Sequence, residues 1–169
     1  MSAWLIFMLL AAVGVLLLWQ YGQRPRRYRN VQVGELARFI QTLLKRGYQG
    51  GLLILETKTS RSDRRFLQFS KYIREDGRAG LEFGFPNAPW SRAYYDALRR
   101  ELDAKGVAFT LQDTGRHDTT QFLVVDLERD VTKAQRVAEL AVPIVFGGAS
   151  TGFQAHYENV SAMDVKVGR

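Results

Sequence analysis

The pattern of apolar and polar positions separates an entirely apolar N-terminal run from a region in which the two classes alternate. Residues 3–19 contain no polar side chain. As a helix this run spans roughly 25 Å, close to the ~30 Å hydrocarbon core of a bilayer. Trp4 at one end, and Trp19 with Tyr21 at the other, fit the aromatic belts of membrane interfaces. The pattern predicts a transmembrane anchor over residues 1–22.

Charge at the two ends of this run predicts its orientation. No Lys or Arg precedes it, whereas four arginines follow it in a basic linker over residues 23–31: Arg24, Arg26, Arg27 and Arg29. The positive-inside rule then places the N-terminus outside and the rest of the chain in the cytoplasm, at a bacterial-type inner membrane. The same arginines are expected to contact anionic lipid head groups. A cleaved secretory signal is the rival interpretation, but it needs a positive front and a small-residue cleavage site, which are not evident.

Residues 32–146 show the periodicities of a folded α+β domain. Apolar residues at spacings of three and four predict a helix over about 33–46 and another that follows the Pro-Trp pair at 89–90. Runs rich in β-branched and aromatic residues predict strands. These lie at about 51–58, 64–74, 81–85, 107–111 and 119–127. A last helix is predicted, which Asp130 should cap and Pro143 should end or kink.

The predicted order is therefore helix, three strands, helix, two strands, helix. Strands joined by tight turns favour antiparallel pairing, so the expected sheet is antiparallel and the expected class is α+β. Residues 147–169 are predicted to form a C-terminal tail, in which 165–167 is the only strand-like piece.

This element order carries a resemblance, together with the Leu-Glu-Phe-Gly-Phe segment at 81–85 and the final helix capped by Asp130. The domain resembles the type III secretion chaperone-like fold, which is also seen in the YbjN-type family of bacterial proteins. The resemblance implies a non-enzymatic binding domain, often dimeric, that holds a partner protein. The family pattern includes neither an N-terminal anchor nor a tail after Gly147, and both departures argue against a free soluble chaperone.

Net charge and cysteine content exclude several classes of function. The formal charge is +7, yet the four linker arginines supply four of the 24 basic residues, and all 17 acidic residues follow residue 30. The remainder carries 20 minus 17, or +3, without a dense basic stripe, so no nucleic-acid partner is predicted. The chain has no Cys, which excludes disulfides, thiolate metal sites and cysteine nucleophiles.

The residues that could carry chemistry are few. His117 and His156 are predicted to be solvated loop histidines, and no metal or cofactor is predicted. The Gly-rich segment at 147–152 could cradle a phosphate, but it follows a helix and lacks the Walker lysine. An acidic group at a strand end could act in acid–base chemistry or bind a divalent ion; a solvated strand end with a helix cap is the favoured interpretation. The group comprises Asp126, Glu128 and Asp130.

The densest feature is an aromatic group between the third predicted strand and the central helix: Phe83, Phe85, Trp90, Tyr94 and Tyr95. Packing in the core is one interpretation, and an exposed groove for a partner is the other. The sequence favours a membrane-anchored, non-enzymatic interaction module, as an accessory, assembly or chaperone-like subunit of an inner-membrane complex. Its expected partner is another membrane protein or a second copy, bound through these aromatics. The alternatives are a small-ligand sensor or enzyme, and a protein that binds anionic lipid surfaces.

Overall fold

The computed structural model describes residues 27–57, 65–113, 120–148 and 152–161. Within these residues the chain forms an α+β domain with three α-helices and one seven-stranded sheet. The strands are β1 (Arg27–Val31), β2 (Gly47–Glu56), β3 (Phe66–Ile73), β4 (Ala79–Pro86), β5 (Thr110–Asp113), β6 (Gln121–Glu128) and β7 (Phe153–Val160). The helices are α1 (Leu36–Arg46), α2 (Arg92–Ala104) and α3 (Val131–Val142).

The strand order in the sheet is β1-β7-β2-β3-β4-β6-β5, and every neighbouring pair is antiparallel. The expected α+β class and the antiparallel sheet are therefore confirmed. Strands β2, β3 and β4 pair in chain order as a meander, and β5 pairs with β6 as a hairpin, which is the antiparallel pairing expected of consecutive strands. The turn between β3 and β4 contains the sequence Glu-Asp-Gly, in which Gly77 adopts the positive φ of 78° that favours glycine.

Alternation along the strands gives the sheet two unlike faces. Buried apolar residues at every second position, such as Leu53, Phe69 and Leu81, join one core cluster with the buried residues of all three helices. The alternate positions point the other way. Their cross-strand partners form a continuous row from Ile54 through Gln68, Gly84 and Val124 to Thr110. We call this second surface the open face, because the described helices all lie on the other side.

Two polar side chains tie α1 to the core side of the sheet. The buried Lys71 ammonium donates a hydrogen bond of 2.6 Å to the carbonyl oxygen of Leu44, in the last turn of the helix. The Tyr157 hydroxyl donates one of 3.0 Å to the carbonyl oxygen of Phe39. Because a buried polar group must be satisfied, both contacts fix the position of the helix over β3 and β7.

Two neighbouring strands, β1 and β7, correct the sequence interpretation. Strand β1 lies in the segment that was predicted to be linker, and β7 lies in the segment that was predicted to be tail. Strand β7 pairs with β1 on one side and with β2 on the other, so both ends of the described chain belong to the sheet. The strand-like piece at 165–167 lies outside the described residues.

Both ends of the last helix match the prediction. The Asp130 side chain accepts a hydrogen bond of 2.8 Å from the backbone nitrogen of Lys133, as an N-cap should. Helix α3 ends at Val142, and Pro143 begins a short π-helical turn, which confirms that proline stops the regular helix. Val145 in this turn is fully buried.

The predicted anchor over residues 1–22 lies outside the described residues, together with Arg24 and Arg26. Among the helices in the described part of the chain, none combines the length and the apolar character needed to cross a membrane.

Candidate functional site

The structure divides the five predicted partner-binding aromatics into two groups. Phe83, Phe85 and Tyr95 are buried in the core, with at most 2% of their surface exposed. Trp90 is 38% exposed, and Tyr94 is half-buried at the edge of the core cluster. Of the five, therefore, Trp90 and Tyr94 have surface through which to contact a partner, while the other three stabilise the fold.

Trp90 lies at the surface and packs against two neighbouring aromatic rings. Its ring lies against Phe66 with the ring centroids 5.1 Å apart, and it meets Phe85 edge-on at 5.9 Å. Beside it, the Arg65 guanidinium lies 5.0 Å from the centroid of the Tyr94 ring. We call the surface formed by Arg65, Phe66, Trp90 and Tyr94 the aromatic patch.

A buried serine fixes the loop that presents Trp90. Ser91 is fully buried. Its hydroxyl donates a hydrogen bond of 2.6 Å to the carbonyl oxygen of Pro86 and accepts one of 2.9 Å from the backbone nitrogen of Ala88. The loop is thereby tied to the end of β4 just before α2 begins. An exposed tryptophan on such a loop is pre-organised for contact, since little conformational entropy remains to be lost on binding.

A second cluster lies on the open face around Asp126. The Tyr72 hydroxyl donates to one carboxylate oxygen at 2.7 Å, and the Arg74 guanidinium donates to the other at 3.1 Å. The backbone nitrogen of Glu128 also donates to this carboxylate, at 2.9 Å. Lys133 of α3 donates to the backbone carbonyl oxygen of Asp126 at 2.7 Å.

These contacts set the ionisation of the cluster. Burial by itself would raise the pKa of Asp126, but the hydrogen bonds from Tyr72 and the Glu128 amide, with the charges of Arg74 and Lys133, lower it overall. Burial, followed by the hydrogen bond to Asp126, raises the pKa of Tyr72. At neutral pH the carboxylate stays ionised and the phenol stays protonated. This pair therefore holds a fixed charge and is poorly suited to proton transfer.

The acidic strand end singled out in the sequence is split between two roles. Asp126 and Glu128 line a groove of about 540 Å³, whereas Asp130 caps α3. The groove runs over the open face from β3 to β5, with Tyr72 and Phe109 among its walls. Its lining mixes charged, polar and apolar groups, so it can accept a small polar molecule or a side chain of a partner.

The prediction for His156 is wrong. It is not a loop residue but lies in β7, with 5% of its surface exposed. Its Nδ1 atom is 3.5 Å from a carboxylate oxygen of Glu56, and its Nε2 atom is 3.6 Å from one of Glu158. The missed signal is the alternation of Phe, Ala and Tyr with polar residues over 153–158, which is typical of a half-buried strand. His117 lies outside the described residues.

The remaining candidates give no further site. Across residues 27–57, 65–113, 120–148 and 152–161, no three His, Cys, Asp or Glu side chains are arranged to hold a metal ion. Gly147 and Gly148 end the π-helical turn with positive φ, and residues 149–151 of the Gly-rich segment lie outside the described residues. Arg27 and Arg29 lie exposed on β1, where Arg27 stands opposite His156.

Comparisons with known proteins give the chain no family. No family model, no curated protein and no solved structure matches it.

Proposed function

We propose that this protein is a membrane-anchored, non-enzymatic interaction module that serves as an accessory, assembly or chaperone-like subunit of an inner-membrane complex. The observation that carries the proposal is the exposure of Trp90, at 38%, on the aromatic patch. The type III secretion chaperone-like architecture that the element order resembles supports the same conclusion. The apolar run at 3–19 and the arginines after it support a single anchor with the domain in the cytoplasm.

The chemistry of the aromatic patch fits protein recognition. Tryptophan, tyrosine and arginine are enriched among the residues that dominate binding energy at protein interfaces, and the patch contains one of each: Arg65, Trp90 and Tyr94. The rings pack on one another, so a partner meets a rigid apolar surface beside a fixed positive charge. We infer that the partner is another membrane protein, because the predicted anchor confines this domain to the membrane surface.

Co-purification tests the proposal. The full chain, extracted in mild detergent, is expected to retain a membrane protein in a fixed ratio, and Trp90→Ala is expected to lose it. Tyr48→Ala is the matched control, because Tyr48 is 57% exposed but lies outside the aromatic patch. Equal retention by both variants, or no retained protein with the unaltered chain, would overturn the proposal.

A small-ligand sensor is the second candidate, and the groove beside Asp126 favours it. In that case the purified full chain should carry a bound small molecule detectable by native mass spectrometry. The test variant is Gln112→Trp, which fills the groove from the exposed strand β5 and should remove that molecule. A native mass of the unaltered protein equal to that of the polypeptide alone would eliminate this candidate. Binding of anionic lipid by the linker arginines stays a prediction.

A further inference from the structure

The two edges of the sheet differ in how well they are protected against pairing with another strand. An unprotected edge offers a row of backbone donors and acceptors to any incoming strand. Proteins block such edges with charged side chains, bulges and irregular backbone. Strand β1 has all three: exposed Arg27 and Arg29, a register shift between Tyr28 and Val31, and a positive φ of 58° at Asn30.

Strand β5, at the opposite edge, has no bulge and no residue with positive φ. All four of its residues are exposed, and its pairing with β6 runs without a register shift. It contains no Lys, Arg or Pro, and its single charge is Asp113 at the end. Leu111 in its middle is 40% exposed. In the described part of the chain no strand pairs with its outer side.

We propose that β5 pairs antiparallel with β5 of a second copy of this chain, around a two-fold axis at Leu111. The two sheets then form one continuous fourteen-stranded sheet, twice the seven strands of one chain. A two-fold contact requires a surface that complements itself. The proposal goes beyond the proposed function and does not depend on it, because the aromatic patch is formed by other elements.

The side chains of β5 fit a copy of themselves in this register. Leu111 faces the partner's Leu111, so each covers the other's exposed apolar surface, and Thr110 stands opposite the partner's Gln112. Asp113 is then kept away from the partner's Asp113, which avoids a like-charge pair. The same arrangement at the β1 edge would bring arginines together, so charge favours β5 as the contact.

The neighbouring helix does not oppose this contact. Asp96 and Arg99 of α2, together with Asp113, all act on the Tyr95 hydroxyl, so charges of both signs lie near this edge. A second copy would therefore meet a mixed rim, without the repulsion of a single-sign surface.

Cysteine crosslinking tests the register, since the chain has no Cys of its own. Directly opposite residues of an antiparallel pair have Cα atoms about 4.5–5.5 Å apart, within the range of a disulfide. The full chain with Leu111→Cys, in non-denaturing detergent under mild oxidation, is expected to become mostly a covalent dimer. Asp113→Cys is the matched control on the same strand. Its two thiols would be separated by about 14 Å along the strands and are expected to stay reduced.

Leu111→Lys tests the contact without relying on oxidation. The change places a charge at an exposed position, so the variant should still unfold in one cooperative transition, while light scattering shows that the dimer has dissociated to a monomer. Three results would overturn the proposal. These are a monomeric unaltered chain at every concentration, a dimer that Leu111→Lys leaves intact, and crosslinking at Asp113 as complete as at Leu111.

Discussion

The absence of a side chain at Gly80 positions Tyr72 and the polar network around it. The Tyr72 ring lies over Gly80, the residue opposite it on β4. A Cβ atom at Gly80 would stand 2.6 Å from the ring carbon Cε2 and closer still to Cζ and the hydroxyl oxygen. The glycine therefore leaves the room in which the hydroxyl reaches Asp126. No comparable restriction exists at Gly84 on the same face, where the nearest atom would be 3.8 Å away, in Phe122.

This contrast predicts unequal effects of two identical substitutions. Gly80→Ala should displace the Tyr72 ring and lower the free energy of unfolding by about 1–3 kcal/mol, the usual cost of overpacking. Gly84→Ala should change it by less than about 0.5 kcal/mol, because an added methyl group meets only ordinary contacts. Urea unfolding of both variants measures the difference. Equal destabilisation would show that the ring does not depend on the glycine.

A buried phenol links stability to alkaline pH. Burial is the largest cause that raises the pKa of Tyr157 far above its usual value of 10.0. Above pH 10 the unfolded chain releases this proton while the folded chain keeps it, so folding stability falls as pH rises through this range. Below pH 10 both states are protonated and the contribution is constant.

Tyr157→Phe should therefore flatten the loss of stability above pH 10, at a cost of about 1 kcal/mol at neutral pH for the lost hydrogen bond to Phe39. Denaturant unfolding at several pH values from neutral to alkaline provides the measurement. Some slope should remain, because burial also raises the pKa values of Tyr72 and Tyr95. An unchanged alkaline slope in the variant would contradict the assignment to Tyr157.

Among the elements, β7 connects β1, the first described strand, to the rest of the sheet. It pairs with β1 and β2, and its inward residues Phe153, Ala155 and Tyr157 are buried in the core. Because a strand removed from this position exposes the apolar side chains of β2, the domain needs the segment first interpreted as a tail.

Truncation tests this role of β7. A fragment of residues 27–161 is expected to unfold in one cooperative transition, whereas a fragment of residues 27–148 should lack such a transition. Near-UV circular dichroism during thermal unfolding distinguishes the two. A cooperative transition of similar midpoint in the shorter fragment would mean that β7 is dispensable.

The sequence predicts the central elements and misses β1 and β7 for identifiable reasons. Strands β2, β3, β4 and β6 have strong apolar patterns, and α3 has its aspartate cap and terminal proline. Strand β1 is short and mostly polar, so its place in the sheet depends on contacts with β7 that no local pattern reveals. For the aromatic group, spacing alone places neither Phe83 inside nor Trp90 outside, because exposure depends on how α2 and β4 pack together.

At the scale of the whole molecule, the aromatic patch and the predicted anchor belong to separate parts of the chain. The aromatic patch is built from the start of β3, the loop before α2 and the first turn of α2, whereas the predicted anchor precedes β1 in the sequence. Under the proposed function, the domain contacts a membrane partner through the patch while the predicted anchor holds it at the bilayer. Because Trp90 is 38% exposed, a change at this position should impair binding and leave the fold intact.

Site-specific photocrosslinking in intact cells tests this account most directly. A photoreactive phenylalanine analogue replaces Trp90 in the full chain, and in a control chain it replaces Tyr48. The account predicts a defined crosslinked product with a single membrane protein from position 90 and none from position 48. Products of equal yield from both positions, or no product from position 90, would contradict it.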